Sequence, residues 1–180
     1  MNFRGLSGVT TRQISREVGC SEGALYVHFD GRVELLMTML EESLPEMLRP
    51  LQQLRESVGR GSVRKNLVQA LDGIFRFHQR IVSETAGLFA EPELLAAYRS
   101  SLRRQGKGPH LSMKVLEDYI RSEQLLKRIG SSVDARLAAT LMMSSSFFLA
   151  FVERFFGKPM RPAWRTFAEQ LVATVLRTPR

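Results

Sequence analysis

The stretch TTRQISREVGCSEGALYVHF, Thr10 to Phe29, has room for two helices of about two turns each, joined by a turn of about three residues. Thr10 is followed three residues later by Gln13, the spacing of a capping box, so a helix is expected to begin there with Ile14 and Val18 on one face. Gly19 ends it, because glycine takes the left-handed conformation at little steric cost. Ser21 then caps a second helix with Leu25 and Phe29 inward, and Asp30 caps a third with Val33, Leu36 and Leu40 inward. Two short helices with so tight a joint form a helix-turn-helix. Its rigidity holds the second helix proud of the body, where the N-terminal outer face can enter a DNA major groove.

The rest of the chain sets an all-α fold class. Apolar residues recur at three and four spacings, and no alternating β-branched run bounded by hairpin turns interrupts them. Breaks are expected at Pro45 and Pro50, Gly59 to Ser62, Glu91-Pro92, Gly106 to Pro109, Gly130 to Asp134 and Gly157 to Pro162. The helices are short before residue 44 and long after it. With 44% hydrophobic residues in 180, the chain can bury a real core. The single cysteine, Cys20, rules out an internal disulfide and fits a reducing cytoplasm. The start, MNFRGLSG, has no apolar signal core.

The run Thr10, Arg12, Ile14, Gly19, Ser21, Gly23, Leu25, Tyr26, Phe29, Arg32, Leu35 resembles the DNA-binding domain of the TetR family of bacterial repressors in order and spacing. The resemblance implies a helix-turn-helix domain over 1–44, with the first helix of the family's three-helix core represented only by Met1 to Leu6. It implies a ligand-binding and dimerisation domain over 45–180. Thr10, Thr11 and Arg12 open the scaffold helix, where hydroxyls, free backbone N–H groups and a guanidinium can hold phosphate, and Ser21 does the same for the recognition helix. Glu22, Gly23 and Ala24 are expected to face base edges, with Tyr26 and His28 further along the same outer side. Arg32 stands where the family usually has a phosphate-pairing lysine. Ser15 and Val18 replace small alanines common in the family at the helix crossing.

A helix from about Ser62 to Ser83 places Val63, Leu67, Leu71, Ile74, His78 and Ile81 on one face, with Phe75 and Val82 beside it. The segment Leu111 to Ile129 offers Leu111, Val115, Leu116, Tyr119 and Leu126 inward. Leu88, Phe89 and Tyr98 add further apolar surface. A pocket for a small apolar or aromatic effector is expected from Phe75, His78, Phe89, Tyr98, Tyr119, Met142 and Phe147. His78, a polar residue on an apolar stripe, is its most testable member.

Leu137 to Val152 is an uncharged run of 16 residues containing three serines, short for a membrane span of about 20 apolar residues. A helix buried on two sides fits better. In the TetR family the last two helices pair with their symmetry mates. That resemblance assigns Phe148, Phe151, Phe155, Trp164, Phe167, Leu171 and Val175 to a homodimer interface and its rim.

The net charge of +8 does not fall on the motif: Met1 to Leu36 holds four basic and four acidic side chains. Bulk charge is therefore no argument for DNA binding, and the case rests on geometry. The three histidines lie in separate segments, and neither a Gly-rich phosphate loop nor a nucleophile elbow is present, so no catalytic residue, metal ligand or cofactor is expected. The expected function is a cytoplasmic, homodimeric repressor that binds a palindromic operator on double-stranded DNA and is released by its effector, without a membrane partner. Coupling is expected through the long helix after Asp30, with Pro45 as a hinge at its end. The competing reading is a TetR-like helical dimer that senses a ligand or binds a protein without DNA.

Overall fold

The computed structural model describes Ser15, Arg16, Gly19 and residues 21–177. Among these residues every regular element is helical. The elements are α1 Glu22–His28, α2 Arg32–Glu56, α3 Val63–Thr85, a 3-10 helix Ala86–Ala90, α4 Pro92–Arg104, α5 Pro109–Leu125, α6 Ala135–Phe156 and α7 Trp164–Val175. The expected helix from Thr10 lies largely outside the described residues.

Local chemistry sets most of the ends. Ser21 caps α1, its hydroxyl accepting from the Ala24 N–H at 3.1 Å. Asp134 caps α6 in the same way, accepting from the Leu137 N–H at 3.0 Å, and Gly157 closes that helix in the left-handed conformation at φ 65°. At the start of α2 the Glu34 carboxylate accepts from the Asp30 N–H. Pro92 and Pro109 each open a helix, where a missing N–H costs nothing.

Pro45 and Pro50 do not end a helix: α2 runs through both. Each proline removes one backbone hydrogen bond. Helix on both sides is retained because Met37, Met47, Leu51 and Leu54 are buried along it. Phe29 falls just past the end of α1 and is half-buried. On α5 the inward face is Ser112, Val115, Leu116, Tyr119, Ile120 and Glu123. Leu111 (46% exposed) and Leu126 (50%) are therefore outside, contrary to the apolar pattern. Two polar residues hold inward positions on α5, which shifts its buried face away from the leucines. On α3 Leu67, Leu71, Ile74, Phe75, His78 and Val82 are buried as expected, whereas Val63 and Ile81 of the same stripe are half-buried.

Contacts divide the chain into two compact units. One comprises Met1–Ser43 and Arg80–Gly108, the other Leu44–Gln79 and Pro109–Arg180. In the first unit, α4 packs against the 3-10 helix. In the second, α5 packs along α6, and α6 against α7. Its core is built on Leu67, Leu71, Ile74, Leu116, Ile120, Met142 and Val172.

Candidate nucleic-acid and effector sites

Gly19 takes φ +75° between the two expected helices, in open space. With Ser21 as cap, its hydroxyl and carbonyl both engage the Ala24 N–H, so the entry to α1 is fixed. Gly23, Tyr26 (55% exposed), Val27 (81%) and His28 then lie on the surface, and Ala24 is half-buried. Val27 was not among the expected contacts. It follows Gly23 by four residues, so it shares that residue's face, and this spacing was the available signal. Glu22 opens α1 and Arg32 opens α2. Ser15 is buried, as a residue at a helix crossing should be. Thr10, Thr11 and Arg12 lie outside the described residues.

The expected effector residues divide between the units. Phe75, His78, Tyr119, Met142 and Phe147 belong to the second unit, Phe89 and Tyr98 to the first. His78 is 6% exposed, and its Nδ1 lies 2.9 Å from the Ser146 Oγ across α3 and α6. Phe147 meets the imidazole edge-on at 5.6 Å. Burial lowers the His78 pKa to about 4, so the ring is neutral at physiological pH. Phe75 stacks on Trp164 at 4.1 Å and 6°, joining a residue assigned to the effector with one assigned to the interface. The Trp164 indole N–H donates to Asp72 Oδ1 at 3.0 Å, which seats the start of α7 on α3. Tyr119 is buried and its hydroxyl accepts from Asn66 at 3.0 Å; burial, and then the Glu123 carboxylate, raise its pKa. Met142 is fully buried, Tyr98 is buried, and Phe89 is 73% exposed.

An open cavity of about 780 Å³ lies elsewhere in the second unit, lined by Ser62, Arg64, Val68, Asp72, Arg165 and Glu169 among others. None of the seven expected effector residues lines it. Sequence reasoning also missed Glu123, which is completely buried on α5. The signal was a carboxylate four residues after Tyr119 and three after Ile120, inside an otherwise apolar face.

Along α6, Leu137, Leu141, Phe148, Phe151 and Phe155 recur at helical spacing and are all at least 42% exposed. Phe151 and Phe155 stack at 5.9 Å. Trp164, Phe167, Leu171 and Val175 on α7 were assigned to the same interface; Trp164, Phe167 and Leu171 are half-buried. Among the described residues α6 is the helix long and apolar enough to cross a membrane. Its opposite face, including Ala135, Ala138, Ala139, Met142, Ser146 and Ala150, is buried inside the protein. Among the described residues no group of three or more His, Cys, Asp or Glu gathers to hold a metal.

Residues 1–39 match the family of bacterial regulatory proteins, tetR family. No curated protein matches the chain. Among solved structures, the fatty acid degradation regulator FadR from Bacillus halodurans superposes with a TM-score of 0.64 at 14% identity, covering 96% of this chain and 86% of its own. The TetR family transcriptional regulator PfmR from Thermus thermophilus gives 0.63 at 18% identity, covering 96% and 90%. FadR from Bacillus subtilis, solved in complex with stearoyl-CoA, gives 0.59 at 12% identity, covering 96% and 89%.

Proposed function

We propose that this chain, a TetR-family protein by its helix-turn-helix segment and its fold, is a cytoplasmic repressor that binds an inverted-repeat operator as a homodimer and is released by a small apolar or aromatic effector. The observation that carries the reading is the entry to α1: a left-handed Gly19, a Ser21 cap, and an outer face of Gly23, Tyr26 and Val27 left open to solvent. An exposed valine and tyrosine on a short, rigidly capped helix suit a groove, where apolar contact with thymine methyl groups and phosphate contacts both contribute. Residues 1–44 are the DNA-binding domain in this reading and 45–180 the effector and dimer domain. The phosphate contacts are Thr10, Thr11, Arg12, Ser21, Tyr26 and Arg32, the base-reading residues are Glu22, Gly23 and Ala24, and His28 lies further along the same DNA-facing side.

The exposed stripe of α6 supports dimerisation, because a row of leucines and phenylalanines at helical spacing is the kind of surface a partner helix covers. Two-fold symmetry then sets two α1 helices about 34 Å apart or somewhat more, one turn of DNA. The effector site is placed around His78 and Phe147, with Phe75, Tyr119 and Met142 in the same unit. The stearoyl-CoA complex of the Bacillus subtilis FadR is a case of a protein of this fold taking a ligand with a long apolar chain, attached to the polar coenzyme A. Coupling runs along α2, which continues as helix through Pro45. An effector that prefers the released conformer by about 1 to 3 kcal/mol changes operator affinity about 5- to 150-fold.

Selection of bound duplexes from a random pool tests the reading. Enrichment of an inverted repeat is expected. Weak, salt-sensitive retention with no enriched sequence would favour instead a helical dimer that senses a ligand or binds a protein without DNA.

A further inference from the structure

We infer that the open cavity between α3 and α7 is a binding site for a phosphorylated sugar, with the phosphoryl group on Arg64 and Lys65 and the sugar hydroxyls toward Gln69 and Glu169. The inference goes beyond the proposed function and does not depend on DNA binding. It begins from the charge. The unit that contains the helix-turn-helix holds nine basic and nine acidic side chains, so the whole excess of +8 lies in the unit that contains this cavity. Such an excess attracts anions, and the cavity gathers three of its cations, Arg64, Lys65 and Arg165.

The three cations are not equivalent. Arg165 stands between two carboxylates, 3.7 Å from Asp72 Oδ2 and 3.9 Å from Glu169 Oε1. Asp72 also accepts from the Trp164 indole N–H at 3.0 Å. The charge of Arg165 is therefore answered from within the protein. That of Arg64 and Lys65 is not. Arg64 donates to the Glu169 backbone carbonyl at 3.1 Å, which ties it to α7 but sets no carboxylate against it. The Lys65 ammonium makes no ion pair among the described residues. Both side chains belong to the first turn of α3, which carries no acid, and the helix dipole disfavours cations there. Helix stability does not account for the pair, whereas an anion in the cavity they line does.

The size and lining of the cavity narrow the anion. At about 780 Å³ it is far larger than an inorganic ion needs and falls in the range of small-molecule sites. Val68 is the one apolar side chain that lines it, so its occupant is polar, unlike the effector placed around His78. Lys65 and Asp72 lie seven residues apart on α3, about 10 Å of helix rise, which is room for a sugar beyond the cations. A phosphoryl group carries about −1.5 to −2 charges and three acceptor oxygens, which suits the donors of Arg64 and Lys65. Sugar hydroxyls both donate and accept, which suits the remaining wall. Glu169 Oε2 has no partner among the described residues. Gln69 uses its amide N–H on Gln53 at 3.4 Å and keeps its carbonyl oxygen free to accept.

Isothermal titration calorimetry on the full chain tests the inference, with ribose 5-phosphate, glucose 6-phosphate, inorganic phosphate and ribose as ligands at one ionic strength. At least one of the phosphorylated sugars should bind with a Kd on the order of 0.1 mM. Inorganic phosphate should bind about tenfold more weakly, and ribose should give no saturable heat. The double variant Arg64→Gln, Lys65→Gln should weaken the phosphorylated sugar at least about tenfold. Both side chains are exposed, so its circular dichroism should match the wild type. Glu169→Ala should weaken the phosphorylated sugar without weakening inorganic phosphate, a split that loss of structure would not produce. The inference is wrong if neither phosphorylated sugar binds, or if the double variant binds as the wild type does. Inorganic phosphate binding as tightly as the sugars would mean an adventitious ion only, and would overturn it as well. No arm of the test uses DNA, so its failure leaves the operator selection standing, and the reverse holds.

Discussion

Glu123→Ala should destabilise the protein by about 3 kcal/mol, through a turn far from Glu123 in sequence. Glu123 has no exposed surface. Its Oε1 accepts the Gly59 N–H at 3.0 Å, and its Oε2 lies 3.3 Å from the Arg128 Nε. Arg128 in turn donates to the carbonyls of Gly61 (2.5 Å) and Arg60 (3.4 Å), and Asn66 donates to the Arg60 carbonyl at 2.9 Å. The turn joining α2 to α3, with Gly59 and Gly61 both left-handed, is therefore gripped from both sides by side chains of the second unit. Removing one member of a buried ion pair costs about 3 to 5 kcal/mol, because the other charge is left uncompensated. Arg128 keeps its carbonyl partners and its side chain is 26% exposed, which puts the expected loss at the lower end.

Glu123→Gln retains an acceptor for Gly59 and loses only the charge, so it should cost about 1 to 2 kcal/mol. The assay is urea unfolding at one fixed protein concentration. Fluorescence of Trp164, the single tryptophan, reports on the same unit through its stack on Phe75. Arg128→Met added to Glu123→Ala should recover part of the loss, a coupling of about 1 to 3 kcal/mol. A loss below about 1 kcal/mol for the alanine variant, or two single losses that simply add, would refute the claim that the pair acts as a unit.

Three further outcomes follow from the site geometry. His78 has a pKa of 6.5 when unfolded and about 4 when folded, because burial disfavours its cation. At pH 7 both states are neutral; below pH 6.5 only the unfolded state takes the proton, so stability falls between pH 6.5 and 4 by about 3 kcal/mol and then levels off. His78→Gln should remove that portion of the pH profile, and an unchanged profile would show that His78 is not its source. Ser21→Ala should cost about 1 kcal/mol of α1 stability, read as faster hydrogen exchange at the Ala24 amide; unchanged exchange there would mean the cap contributes nothing. Phe148→Ser with Phe151→Ser should shift the protein toward monomer in sedimentation while leaving its helical content intact, since both rings are exposed in the single chain; an unchanged sedimentation profile would place the dimer contact elsewhere.

What the sequence revealed was set by contacts within a few residues, and what it concealed was set by contacts across many. Ser21, Asp134 and Gly157 act on the backbone beside them, so their roles as caps and closure are readable one at a time. The all-helical class is legible for the same reason, since periodicity is local. Pro45 is equally local chemistry, but it was outweighed: burial of Met47, Leu51 and Leu54 keeps α2 helical beyond it, and that burial depends on helices not adjacent in sequence.

The α5 face shows the limit most directly. Counting apolar residues puts Leu111 and Leu126 inside, whereas Ser112 and Glu123 take those places because each has a distant partner. Ser112 meets the Met47 sulfur at 3.1 Å and Glu123 meets the Gly59 N–H, both more than sixty residues away in the chain. A polar residue is buried where its hydrogen bonds can be met, and the partner's position is not written in the local pattern. Charge does not follow that rule: the unit that contains the helix-turn-helix holds nine basic and nine acidic side chains, so the whole excess of +8 lies in the other unit and folding leaves the motif's unit as neutral as the motif itself.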